Sequence, residues 1–241
     1  MPIPGVALFA RPNFDGATSY AHYYLDLAAQ YASRNMRVID LDRSGATKAN
    51  IFKALEEEDP IFCYWNGHGN ADTFSAQNKE VVMVTCHGDE SLIGRVLLLL
   101  SCSCGIRLAP SAVNKGATTV FGWTVDFTWV AVEDAATDPY AQGYFEAVNA
   151  ISNALVDGKT TGEAMNLSLA AWNQWIDYWT SSVDPYASMV IQYMIHDRDG
   201  QKLFGSTSAR ISAPMPPMPA VGKIPLPLPV IMGYSLSLLF F

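Results

Sequence analysis

Apolar residues along this chain fall into short unbroken runs and longer stretches with helical spacing. Val6–Ala10, Ile61–Trp65 and Val96–Leu100 are unbroken runs, the mark of strands covered on both faces of a parallel sheet. Arg37–Asp42 and Thr118–Trp123 read as two further strands, and Val81–Val84 as a short hairpin strand. From about Thr18, the residues Tyr20, Tyr23, Tyr24, Leu27, Ala28 and Tyr31 share one face at helical spacing. Thr47 is placed to cap a helix that carries Ile51, Phe52 and Leu55 and stops before Pro60. Another helix is expected near Leu108–Asn114. Strands alternating with helices predict an open, mostly parallel sheet with right-handed crossovers.

The second half reads as helical. One helix is expected over Asp138–Leu155. A second starts at Thr160, where Thr160 and Glu163 have capping-box spacing. Its residues Met165, Leu169, Trp172, Ile176 and Trp179 line one face, which suits a core rather than a ligand site. A third is expected over Tyr186–Leu203, with Gly205 just beyond it. From Ala213 the pattern changes: seven of the fourteen prolines lie between Pro214 and Pro229, which favours polyproline II over helix or central strand. The last residues, VIMGYSLSLLFF, are apolar and uncharged but too few to span a bilayer. Two regions follow: a body over 1–210 and a Pro-rich arm over 211–241. The arm is expected to pack on the body or a neighbouring subunit, or to touch a membrane or partner.

Composition narrows the function classes. With 241 residues, half of them hydrophobic, the chain can bury a full core without disulfides or metal. A net charge of −8 and the lack of any Lys/Arg cluster exclude a phosphate-backbone partner. The four cysteines, at 63, 86, 102 and 104, form no disulfide framework in a chain this long. Free thiols, with an N-terminus unlike a signal peptide, point to the cytoplasm, with membrane association through the tail as an option.

The candidate chemistry stands where two central runs end. VLLLLSCSCG delivers Cys102 two residues past its apolar run, and IFCYWNGHGN delivers His68 between Gly67 and Gly69. In an open parallel sheet, ligands bind outside the carboxyl ends of the strands. A thiol there needs a base or a positive field to become thiolate near neutral pH, and histidine supplies one. Gly69 lets its N–H approach a substrate carbonyl and, with the Cys102 N–H, form an oxyanion hole. Cys104 is the rival thiol, two residues further out. His87, separated from Val96 by only eight residues, leaves too little chain for a parallel crossover and suits a rim loop. A zinc site built from Cys86, His87, Cys102, Cys104 or His68 matches none of the common C-x-x-C spacings.

An apolar run ending in His-Gly, followed by one ending in Ser-Cys, resembles the caspase–gingipain–legumain clan of cysteine peptidases. The segment IRLAPSAVNKGATTVFGW is similar to the helix and strand that follow the cysteine in gingipain-like and CHAT-type members. The similarity covers roughly residues 5 to 205. It implies a caspase-like α/β three-layer sandwich with a mostly parallel central sheet and helices on both faces. It also implies a His68–Cys102 dyad, with Gly69 in the oxyanion hole. The reaction would be peptide hydrolysis through a thioester, with a peptide or protein substrate and no cofactor or metal. Tyr64-Trp65-Asn66 is bulkier than the matching stretch in many members, Cys104 is an extra thiol, and no prosegment is evident. Clan members cleave after Asp, Asn, Arg or Lys. Asp126, in a pocket rimmed by Trp123, Phe127 and Trp129 and close to Cys104, would select a basic residue. Arg107 would instead favour an acidic one. A caspase-like module that binds peptides or assembles without cleaving is the alternative.

Overall fold

The computed structural model describes residues 5–132 and 134–211; the Pro-rich arm, apart from Ile211, lies outside the described residues. The chain begins with β1 (Val6–Arg11), α1 (Gly16–Ala32), β2 (Arg37–Asp42), α2 (Lys48–Glu57) and β3 (Phe62–Asn66). Three short strands follow, β4 (His68–Gly69), β5 (Thr73–Ser75) and β6 (Val81–Val84), and then β7 (Val96–Leu100), α3 (Leu108–Asn114) and β8 (Thr119–Trp123). The remainder is α4 (Gln142–Val156), α5 (Thr161–Thr180), α6 (Ala187–Gly200) and β9 (Gln201–Gly205). The main sheet has the order β2-β1-β3-β7-β8-β9. Its first five strands pair in parallel, and β9 closes the edge antiparallel to β8.

Strand alternation divides the core into two layers. Ala7, Phe9, Phe62, Tyr64, Leu98, Phe121 and Trp123 face α1, α4, α5 and α6. Leu8, Ala10, Cys63, Trp65, Leu97, Leu99 and Val120 face α2 and α3. Every residue of β3, β7 and β8 is buried, because helices cover both faces. This is an α/β three-layer sandwich around the mostly parallel sheet that the alternating strands and helices predict.

Local signals hold where capping chemistry sets them. The Thr47 hydroxyl accepts the Asn50 N–H, and Thr160 and Glu163 form the reciprocal capping box. Trp172 and Trp179 of α5 are buried, as expected of a core face. Three expectations are corrected. The first helix starts at Gly16, capped by Asp15, and Leu27 lies on its exposed side while Leu25 is buried. The helix expected from Asp138 starts at Gln142, because the Asp138 carboxylate instead accepts N–H groups from Val132, Tyr140 and Ala141. The helix expected over Tyr186–Leu203 ends at Gly200, and its last residues form β9, whose ladder with β8 supplies the hydrogen bonds a further helical turn would have made.

Candidate active site

Register brings the two motifs together. β3 and β7 are adjacent, and Asn66 pairs with Leu100 at their carboxyl ends. His68 and Cys102 each stand two residues beyond that pair. The Gly67 N–H donates to the Leu100 carbonyl at 3.2 Å, tying the strand ends together. A side chain at Gly67 would overlap the Ser75 carbonyl, and one at Gly69 would overlap the Ser101 hydroxyl and approach the Cys102 carbonyl to 3.2 Å. Glycine at 67 therefore lets the chain lie against β5, and glycine at 69 lets β4 lie against the residues just past β7. Ser103, at φ 53°, turns the chain after Cys102, and its N–H donates to the Val125 carbonyl at 2.9 Å.

His68 and Cys102 line one cavity of about 190 Å³. α1 supplies Ala17, Thr18 and Ala21 to its walls, α4 supplies Phe145, and the segment after β8 supplies Phe127 and Trp129. These rings brace one another, with Phe127 5.7 Å and Trp129 5.2 Å from Phe145 between centroids. An open depression on the other side of His68 is lined by Gly69, Asn70, Thr73, Ser75 and Lys79.

The His68 Nε2 lies 2.6 Å from Asp15 Oδ2. Sequence reasoning missed this partner. Asp15 also caps α1, its Oδ1 accepting the Thr18 N–H at 2.9 Å and the Thr18 hydroxyl at 2.8 Å. Burial alone would raise the Asp15 carboxyl, but hydrogen bonds from Thr18 and His68 hold it below the usual carboxylate range. The carboxylate thus fixes one imidazole nitrogen, as an orienting group does in a catalytic triad. Phe14 packs edge-on against the ring at 5.7 Å.

Cys102 is half-buried. Burial pushes its thiol up, the Phe127 backbone N–H works in the opposite direction, and the Asp126 and Asp197 charges add to the rise. Asp197, on α6, is fully buried, and its carboxyl accepts the Thr128 N–H at 3.1 and 3.2 Å. It thereby holds the segment whose Phe127 N–H reaches Cys102. Burial raises the Asp197 carboxyl to about 9.

The other expected site residues stand apart from the cavity. Cys104 is fully buried and donates to the Ser101 carbonyl at 3.3 Å. Burial pushes its thiol up to about 12. Trp123 is also fully buried; it touches the site only by bracing Phe127 at 5.2 Å. Asp126 is exposed, outside the cavity lining, and accepts the Ser103 hydroxyl at 2.6 Å. The structure does not bring Asp126, Trp123 or Cys104 into the lining of the cavity shared by His68 and Cys102. β8 turns Trp123 into the helix-covered core, and the turn at Ser103 carries Cys104 beneath the sheet edge. Arg107 pairs with Asp72, and His87 lies exposed on a turn after β6. Among the described residues, no group of three or more His, Cys, Asp or Glu side chains is placed to hold a metal.

No protein-family model matches the chain. No curated protein matches it either. Among solved structures it is similar to the crystal structure of caspase-1 from Spodoptera frugiperda, with a TM-score of 0.46 and 12% identity over 86% of this chain and 87% of that one.

Proposed function

We propose that the protein is a cysteine endopeptidase that hydrolyses peptide bonds through His68 and Cys102. One observation carries the reading: a carboxylate-paired histidine and a half-buried cysteine line one cavity, each two residues past the ends of adjacent central strands. In this reading Asp15 orients the imidazole and His68 takes the Cys102 proton. The thiolate attacks the scissile carbonyl, and the Gly69 and Cys102 N–H groups receive the developing oxyanion. His68 returns the proton to the departing amine, and a water then hydrolyses the thioester and regenerates the thiol. The depression beyond His68 offers a surface along which a peptide lies. A preference for Arg or Lys beside the scissile bond would rest on Asp126. Asp126 stands outside the cavity and accepts the Ser103 hydroxyl.

A second reading, a caspase-like module that binds peptides without cleaving them, has one observation in its favour. Burial lifts the Cys102 thiol, and the charge of neighbouring Asp126 has the sign that disfavours a thiolate. A fluorogenic peptide library varied at the P1 residue, tried on the native chain, Cys102→Ala and Cys104→Ala, separates the two. Turnover lost only in Cys102→Ala supports the peptidase. No turnover with any peptide, and no labelling of Cys102 by a peptide electrophile, would overturn it in favour of the binding module.

A further inference from the structure

The open depression beyond His68 is walled by side chains that donate hydrogen bonds. Asn70, Thr73, Ser75 and Lys79 line it together with His68 and Gly69. Ser75 stands opposite His68 in the antiparallel pairing of β4 with β5, so the depression begins one strand away from the imidazole. Asn70 turns its Oδ1 back to its own loop, where it accepts the Asp72 and Thr73 N–H groups at 2.9 and 3.0 Å. Its Nδ2, the Thr73 and Ser75 hydroxyls and the Lys79 ammonium have no hydrogen-bond or ion-pair partner among the described residues.

The backbone fixes where Lys79 starts. Asn78 and Lys79 both adopt left-handed φ angles, 55° and 60°, a conformation that residues with a Cβ rarely take and that persists where neighbours impose it. Here the Gln77 side chain accepts the Asn13 N–H at 3.0 Å, and the Ala76 N–H donates to the Glu80 carbonyl at 2.9 Å. The surrounding carboxylates are engaged elsewhere. Asp15 holds His68, Asp72 pairs with Arg107, and Glu80 accepts the Lys48 N–H at 2.9 Å. Apart from His68, Lys79 is the one ionisable side chain in the lining. A ligand carboxylate placed there would gain the ammonium and neutral donors beside it. A ligand ammonium or guanidinium would meet a like charge, and an apolar side chain would pair none of the donors.

In the proposed hydrolysis His68 hands its proton to the departing amine. That amine therefore lies on the His68 side of the scissile carbonyl, and the chain that follows it continues past His68 into the depression. We infer that the depression is a subsite for an acidic side chain, aspartate or glutamate, on the leaving-amine side of the scissile bond, and that Lys79 is its specificity-determining residue. The inference rests on the peptidase reading and deepens it by naming a substrate feature beyond the bond that is cut.

The test measures binding apart from turnover. Peptide pools randomised at P1 carry Glu, Ala or Lys at the two positions after it, with both ends blocked so that the chain termini bear no charge. Binding to the Cys102→Ala protein is read by fluorescence anisotropy, and hydrolysis by the native protein by mass spectrometry. The Glu pool is expected to bind about tenfold more tightly than the Lys pool at about 0.05 M salt, with a margin that shrinks at about 0.5 M. Lys79 is exposed, so Lys79→Glu, made in the Cys102→Ala protein, leaves the core intact and should reverse the order. Glu-selective binding without any turnover would sustain the subsite and count against the peptidase. Turnover that is indifferent to Glu or Lys, or that favours Lys, would overturn the subsite and leave the peptidase standing. Equal binding of the three pools, binding of none, or a Glu preference that survives Lys79→Glu would also overturn it.

Discussion

Asp197 is a carboxyl group buried in α6 with no cation beside it among the described residues, and replacing it by asparagine tests how the site segment is held. In the folded chain its carboxyl keeps its proton up to about pH 9, whereas the ordinary value is 3.8. Between those values the folded state binds more protons than the unfolded state, so stability falls as pH rises across that window, by about 1.4 kcal/mol per pH unit. From about pH 5.5 to about pH 8.5 this amounts to roughly 4 kcal/mol, on the order of 10 °C in Tm for a domain of this size. An asparagine side chain at this position is isosteric with the acid, still accepts the Thr128 N–H and does not titrate. Asp197→Asn should therefore match the native protein near pH 4 and exceed it progressively toward pH 9. Thermal unfolding by circular dichroism in buffers from pH 4 to 9 reads the difference. Parallel curves of Tm against pH for the two proteins would refute the reasoning. So would a less stable variant at pH 8.5.

Asp15→Asn keeps a good helix cap, so stability should change by less than about 1 kcal/mol. Peptide hydrolysis should nevertheless fall on the order of 100-fold, because the imidazole loses its carboxylate partner; equal kcat/KM would remove Asp15 from the proposed machinery. Gly69→Ala places a Cβ against the Ser101 hydroxyl and the Thr73 carbonyl. It should cost about 2 kcal/mol in denaturant unfolding and lose turnover. Alkylation followed by mass spectrometry should modify exposed Cys86 and half-buried Cys102 in the folded chain, with Cys102 reacting faster as pH rises past the ordinary thiol value. Cys63 and Cys104 are fully buried, with thiols pushed up to about 12, and should stay unmodified until the protein unfolds. Rapid labelling of Cys104 in the folded state would contradict its placement.

The layered sheet was legible because strands covered on both faces must be apolar at every position. VLLLL and IFCYW therefore announced themselves, and the mirrored motif ends placed His68 and Cys102 at one edge. Capping residues were legible for a local reason: Thr47, Thr160 and Glu163 bond to backbone within three residues. Asp15 was not, because its partner lies 53 residues away. A signal did exist: Asp15 follows β1, which pairs with β3, so residues just past both strands reach the same edge. The Gln201–Gly205 strand was lost in a helical reading because an edge strand is defined by its ladder with β8 rather than by its own periodicity.

The pocket shows the same division. The sequence by itself determined the strands, their apolar character and the placing of a thiol and an imidazole past two of them, since burial and chain direction follow from local pattern. Which side chains surround those groups was decided only in three dimensions. Cys104 is near Cys102 along the chain and Trp123 ends β8, yet the turn at Ser103 and strand alternation direct both into the core, while Asp126, three residues past β8, bonds Ser103 outside the cavity. Ala21, Phe145 and Trp129 come from α1, α4 and the segment after β8, and nothing in sequence distance links them. A cavity is the space that separate elements leave when they pack, so its walls are fixed by tertiary contacts rather than by any one stretch of chain.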